Sequence, residues 1–319
     1  MIENKQLIVV NNLQPNDIVL DIETTGLYAN RHQITVLSFI RAIDDASYQL
    51  EQYLAESVSE EREILIYLQD ILMEDARLIT YNGVRFDLPF INTRAHHHRL
   101  AGVEAMSHLD LYLYLRTFGK LVNRPSMGQK ALEIEMGIQR PFEMDGADAV
   151  EAYQRFKDYK DRQSADLLLE YNSYDVVYLE QLLSLHRDIE EKRSVEAVLS
   201  AGDFSARINS ILRNRDVFMI HFEISSNPYE IEVNLAKDNY QLKLSEESGS
   251  LSIVTKSGYI SPGVMGSVFA VEGLGEPLID ASSFDIMPGY LVIARDKELV
   301  LNNIKQVLSA CLLQLNEIS

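Results

Sequence analysis

At 319 residues, with 46% hydrophobic and 24% charged side chains, the chain has the make-up of one large or two ordinary globular domains, which excludes a fibrous or disordered chain. Its 48 Asp and Glu against 29 Lys and Arg leave a formal net charge of -19. That argues against broad non-specific DNA binding, because a polyanion is drawn by clustered cations. No apolar run approaches the roughly 20 residues needed to span a bilayer, and the N-terminus lacks a signal-peptide pattern, so no membrane partner is expected. The single Cys311 forms no internal disulfide framework, in agreement with a cytoplasmic location.

In chain order, Ile18, Val19 and Leu20 make a β-branched apolar run suited to a buried strand. The strand ends on Asp21 and Glu23, whose side chains leave on one face because strand side chains repeat every two residues. Two such carboxylates are costly together unless a cation lies between them, and oxygen ligands favour Mg²⁺ or Mn²⁺. Ordinary solvated acids at a strand end are the alternative. Ile34 to Ala42 and Tyr48 to Tyr53 read as further strands, Glu60 to Met73 as a helix and Leu78 to Thr80 as another strand. Three strands, a helix and a strand is how a ribonuclease H-like fold begins.

Tyr81-Asn82-Gly83 turns the chain into an apolar-periodic helix, placing Asp87 near its start, where partial positive charge steadies a carboxylate. Plain capping is the bland reading; with Asp21 and Glu23 upstream, Asp87 becomes a third ligand candidate. His96, His97 and His98 are adjacent and cannot form a metal cage alone. Arg85, Arg94 and Arg99 could touch phosphates, with a solvated helix face the leading reading for Arg94 and Arg99. Asp110 follows a short strand and is at most a supporting residue.

Ser126 is expected to start a helix through Met136 that ends at Gly137. Between Ala147 and Arg162, aromatic and basic residues interleave, as a core stripe with snorkelling cations or as a single-strand contact. Ser164 is expected to cap a long helix in which Tyr171 and Asp175, four apart, share one face. After Arg193, alternating strands are expected over Val217 to Ile224, Tyr229 to Leu235, Tyr240 to Leu244, Leu251 to Val254, Val268 to Val271 and Tyr290 to Ala294. Asp296 is expected to cap a last helix whose stripe from Leu299 to Leu315 packs on that sheet.

The segments Asp21-Ile22-Glu23-Thr24-Thr25-Gly26, Asn82 with Phe86-Asp87, and Tyr171 with Asp175 resemble, in order and spacing, the DEDD (DnaQ-like) superfamily of 3'-to-5' exonucleases within the ribonuclease H-like fold. Tyr four positions before Asp, with Glu170 where the other subclass carries His, resembles the DEDDy branch. Tyr-Asn-Gly-x-x-Phe-Asp, His-Leu-Asp-Leu and Tyr-Asn-x-x-Asp-Val look closest to the YprB-type ribonuclease H-like family, although Tyr81 stands where many exonucleases place His.

The motifs span residues 17 to 180, and the resemblance implies an α/β ribonuclease H-like domain, placed over residues 1–199; the alternating strands and final helix beyond it read as a smaller β-rich α+β domain over 200–319. It implies a hydrolase in which Asp21, Glu23, Asp87 and Asp175 hold two Mg²⁺ or Mn²⁺ ions at a scissile phosphate. Tyr171 would orient or deprotonate the attacking water, orientation being the safer role for a phenol at neutral pH. Thr24, Thr25, Gly26 and Leu27 would cradle the terminal nucleotide, with Asn82 and Phe86 shaping its pocket. The expected partner is single-stranded DNA or RNA. A ribonuclease H-like endonuclease and a non-catalytic nucleic-acid or protein binding module are the alternatives. For the C-terminal domain a substrate-guiding module, a protein-binding module and a self-association surface are open, its acidic charge making the first the least attractive.

Overall fold

The N-terminal stretch Ile2–Ile8 forms a strand, β1, whose middle residues are all exposed. The computed structural model describes residues 1–72, 75–104, 107–124, 128–229, 232–275 and 278–317. The chain divides into two units, Met1–Arg116 with Ser126–His186, and Thr117–Pro125 with Arg187–Ser319.

In the first unit, β1 is followed by β2 (Asp17–Thr24), β3 (Ile34–Ala42), β4 (Tyr48–Leu54), α1 (Val58–Ile71), β5 (Arg77–Thr80), α2 (Asp87–His97) and β6 (Ser107–Asp110). Then come α3 (Leu111–Phe118), α4 (Gln129–Glu135), α5 (Gly146–Tyr159) and α6 (Arg162–Arg193), the last two residues of α3 and the last seven of α6 lying in the second unit. The strands form one six-stranded sheet in the order β1-β4-β3-β2-β5-β6. Pairing is antiparallel from β1 through β2 and parallel from β2 to β6. This is the mixed, helix-flanked sheet expected from the sequence.

Alternation along β2 explains its central place. Ile18, Leu20 and Ile22 pack with Ile64, Leu65 and Leu68 of α1 and with Phe90 and Ile91 of α2, so Val19, Asp21 and Glu23 occupy the opposite face. At the start of β2 the fully buried Asp17 takes a two-pronged ion pair from Arg77, both contacts 2.7 Å, which pins β2 to β5. Ser57 caps α1 through the Glu60 amide, and Asp145 with Asp148 forms a capping box on α5.

The helix expected to begin at Ser126 is α4; Ser126 itself lies outside the described residues, as does Met73 at the expected end of α1. Ser164 does not cap α6: its hydroxyl donates to Asp161, which precedes the helix and also accepts the Gln163 amide. Of the interleaved aromatics, Tyr153 and Phe156 are core, and only Tyr159 stands in solvent. Arg94 is not on a solvated face. It is buried against Glu61, donating Nε to Oε1 at 2.8 Å and Nη2 to Oε2 at 2.6 Å, while its Nη1 reaches the Ala29 carbonyl.

The second unit holds β7 (Ser194–Leu199), β8 (Gly202–Asn214), β9 (Val217–Ser226), β10 (Val233–Ala236), β11 (Tyr240–Leu244), β12 (Ser248–Val254), β13 (Lys256–Ser261), β14 (Val264–Ala270), β15 (Tyr290–Arg295), β16 (Glu298–Leu299) and α7 (Leu301–Leu313). Two antiparallel sheets result, β10-β11-β12-β9-β8-β7 and β13-β14-β15-β16. The α7 stripe of Ile304, Val307, Leu308, Cys311 and Leu312 packs into the core of these sheets. Asp296 is not its cap; it turns the chain at φ +50° before β16, and Val300 precedes the helix. Residues 230–231 of the strand expected from Tyr229 lie outside the described residues, and β10 starts at Val233. Among the described residues, no helix is long and apolar enough to cross a membrane.

Candidate active site

Alternation in β2 and the helical repeat of α6 bring acids from far apart in the sequence to one place. Asp21, Glu23 and Asp175 each offer a carboxylate oxygen, and these oxygens lie within 4.8 Å of one another. Asp87, the first residue of α2, lies beside this trio, its Oδ1 accepting the Ile22 amide at 3.3 Å. Tyr171, one helical turn before Asp175, is buried next to them.

Burial and mutual repulsion push these carboxyls upward. Loss of solvation and then the charges of Asp175, Asp87 and Glu23 raise Asp21 well above the usual carboxylate range. Burial, Asp175 and Asp87 push Glu23 up to about 8, and burial chiefly pushes Asp87 up to about 7. Asp175 is also raised by burial, with Arg140 opposing. Burial and the charge of Asp175 lift the Tyr171 phenol above its ordinary value, so it keeps its proton at neutral pH.

Supporting residues fix each acid. Asn172 donates Nδ2 to Asp21 Oδ2 at 2.7 Å and accepts from the Ser38 hydroxyl. Ser38 in turn accepts from Gln52, whose Nε2 also reaches the Leu169 carbonyl at 2.8 Å. Asn172, Ser38 and Gln52 are almost wholly buried, so Asp21 rests on a polar ladder tied into β3, β4 and α6. Asp175 Oδ1 accepts Nη2 of Arg140 at 2.7 Å, and Arg140 is held by both oxygens of buried Glu133. Asp110 accepts the amides of Asn82, Val84 and Leu113, fixing the turn that leads to Asp87. Asn82 sits at φ +66°, a conformation Asn tolerates, with a buried Oδ1 that accepts nothing among the described residues.

Of the remaining expected residues, Thr24 is buried and donates to the Gly26 carbonyl, and the Thr25 hydroxyl accepts the Gln33 amide. Gly26, at φ +150°, lies under the His32 ring, which leaves no room for a β-carbon. Leu27 is 74% exposed beyond it, and Phe86 packs on Phe90. Sequence reasoning missed Arg140, Lys130 and Asn172, and gave Asp110 only a supporting place. Neither of the two cations carries a local signal, since what ties each to the site is a partner on α6, Asp175 for Arg140 and the Tyr171 ring for Lys130.

Hard carboxylate oxygens this close, held up chiefly by burial and for Asp21, Glu23 and Asp87 also by neighbouring carboxylate charges, suit a divalent cation that would relieve the repulsion. The shifts also set a pH dependence. A carboxyl raised on folding stabilises the metal-free fold below its unfolded value of about 4 and loses that contribution as pH rises through its folded value. Metal-free stability should therefore fall between about pH 4 and 8, and Glu23→Gln should flatten part of the slope. Calorimetric Mn²⁺ affinity should rise over pH 6 to 8 with proton release. Heats independent of buffer and a flat affinity would refute the shifts.

A family model for the RNase H superfamily matches residues 18–186, more than half of the chain. No curated protein matches it. Among solved structures, the zinc-bound exonuclease I of E. coli in complex with single-stranded DNA is 16% identical, covering 65% of this chain and 54% of that one, with a TM-score of 0.35. Brucella melitensis NrnC is 18% identical, covering 57% of this chain and 77% of that one, with a TM-score of 0.37. The chain thus spans about half the length of the exonuclease I structure. With the mixed sheet and the acids on β2, α2 and α6 in place, the match over 18–186 settles the lineage: this chain belongs to the RNase H superfamily.

Proposed function

We propose that the chain is a metal-dependent 3'-to-5' exonuclease of the DEDDy type that hydrolyses phosphodiester bonds at single-stranded nucleic-acid ends. The observation that carries the reading is the convergence of Asp21, Glu23 and Asp175, with Asp87 adjacent, in a recess where their charges oppose one another. A pure binding module gains nothing from acids held in that state.

Asp21, Glu23, Asp87 and Asp175 would hold two divalent ions, Mg²⁺ or Mn²⁺. When bound, such ions neutralise phosphate charge and make water a better nucleophile at neutral pH. The remaining work falls to side chains. Tyr171, protonated at neutral pH, positions the attacking water rather than deprotonating it. The loop from Thr24 to Leu27 is held by its own hydrogen bonds and offers exposed Leu27 to the last base. Asn82, whose buried Oδ1 has no partner among the described residues, and the ring of Phe86 would shape the pocket for the terminal nucleotide.

Digestion of 3'-labelled and 5'-labelled DNA and RNA oligomers with Mn²⁺ tests this. A 3'-labelled strand should lose its label at once as a mononucleotide, while a 5'-labelled strand shortens stepwise. A circular single strand should survive. Cleavage of the circle would replace the reading with an endonuclease, and no metal-dependent cleavage would end it.

A further inference from the structure

Beside the acids, within the same unit, lies a cavity of about 680 Å³ between α4 and the start of α5. Lys130 and Arg140 line it on one side, and Ile134 and Phe142 give it an apolar wall. Both cations are engaged within the protein, although Lys130 is exposed. The Lys130 ammonium donates to the Met144 carbonyl and stands 5.1 Å from the centre of the Tyr171 ring. The Arg140 guanidinium lies 5.8 Å from the ring centres of both Tyr171 and Tyr178. Its side chain is only 9% exposed, and its Nη1 makes no hydrogen bond among the described residues. A buried guanidinium nitrogen without a partner is a donor in reserve, since such groups are ordinarily satisfied.

An aromatic run continues from the cavity wall. Phe142 meets Tyr174 edge to face at 5.7 Å, and Tyr174 stacks on Tyr178 at 5.4 Å and 6°. Tyr171, Tyr174 and Tyr178 lie at i, i+3 and i+7 on α6, so the run follows one helical stripe that passes Asp175. Packing does not account for it. The helix buries Leu168, Val176, Leu179 and Leu183, whereas Tyr174 and Tyr178 are half-exposed.

We propose that this cavity is a subsite for one unpaired nucleotide of the substrate strand, its phosphate on Arg140 and Lys130 and its base against Phe142 and the Tyr174–Tyr178 stack. The inference rests on the nuclease reading above and deepens it. Stacking faces accept any base, so the subsite grips single strands without reading sequence. Glu133, Glu143, Asp145 and Asp148 also line the cavity, Glu133 being paired with Arg140 and Asp145 and Asp148 occupied in the α5 cap. With Glu133 already matched by Arg140, the free Nη1 and Lys130 leave charge for one phosphate, and the other acids suit the site to one nucleotide rather than a long tract.

The test is fluorescence anisotropy of labelled oligo-dT and oligo-U on the full chain, with Ca²⁺ replacing Mg²⁺ to slow cleavage, alongside the Mn²⁺-induced thermal shift. Phe142→Ala should weaken oligonucleotide binding about tenfold, within the range for loss of one stacked base, while keeping the wild-type Mn²⁺ shift, which reports that the fold and acids are intact. Tyr178→Leu should do the same to a smaller degree. Arg140→Gln should weaken oligonucleotide binding yet tighten Mn²⁺ binding, since its guanidinium no longer competes for Asp175. If the wild type cleaves but all three variants bind oligonucleotide within twofold of it, the subsite is wrong and the nuclease reading stands. If the wild type binds in the manner described but never cleaves, the subsite stands and the nuclease reading falls. If the wild type neither binds nor cleaves, both fall.

Discussion

Asp21→Asn is expected to remove metal-dependent strand cleavage by a factor on the order of 10³ or more, the scale on which one electrostatic group aimed at reacting charge is lost. The substitution keeps volume and shape, and an Asn oxygen still accepts from Asn172, so the polar ladder through Ser38 and Gln52 survives. What goes is one of three carboxylates whose oxygens lie within 4.8 Å. The metal-free protein should melt at or above the wild-type temperature, because a buried like charge has been deleted. The Mn²⁺ response should separate the two proteins most clearly. At a free ion concentration 100 times the dissociation constant, the wild type gains about 2.7 kcal/mol. The variant should gain almost none of it. Cleavage within tenfold of wild type, or an undiminished Mn²⁺ shift, would show that Asp21 is not part of the site.

Arg94→Ala should be the most destabilising single change considered, at about 3–5 kcal/mol. Glu61 is wholly buried and takes two hydrogen bonds from Arg94, one from the Ile34 amide at 2.8 Å and one contact from His98 at 2.8 Å. Removing the guanidinium leaves an ionised carboxylate in an apolar setting with only the Ile34 amide and the His98 ring against it. It also frees the Ala29 carbonyl, so the loop carrying Leu27 should loosen together with the core. The melting temperature should drop by roughly 10 °C, at a few degrees per kcal/mol for a unit of this size. The double variant Glu61→Leu with Arg94→Met, which removes both charges and fills the volume, should recover most of the loss. A single variant within about 1 kcal/mol of wild type would mean that the pair is not desolvated as the structure shows.

How far the sequence disclosed this arrangement depended on whether a residue's partners were local. The acids of β2 and the pair Tyr171 and Asp175 were legible because strand and helix periodicities place them on one face without further information. The central strands of the first sheet, α1 and α7 were legible through their apolar rhythm, whereas β7 and β8 were passed over. The strands β1 and β13 were not, because edge strands lying mostly in solvent carry no alternation to detect. Arg94 was misread because its partner lies on α1, 33 positions upstream. Asp296 had the composition of a cap, but the chain used it in a left-handed turn. Arg140 and Lys130 were invisible for a related reason: a cation among acidic segments reads as solvated until the fold shows which ring or carboxylate it lies against.

The three amides gathered by Asp110 have a thermodynamic consequence. Two of them, those of Asn82 and Val84, immobilise the Asn82–Leu88 turn when the chain folds, so the entropy of setting the α2 carboxylate is lost at that stage. A cation reaching this recess meets a rigid, ready-shaped ligand from α2, and its affinity is not reduced by any need to organise that loop.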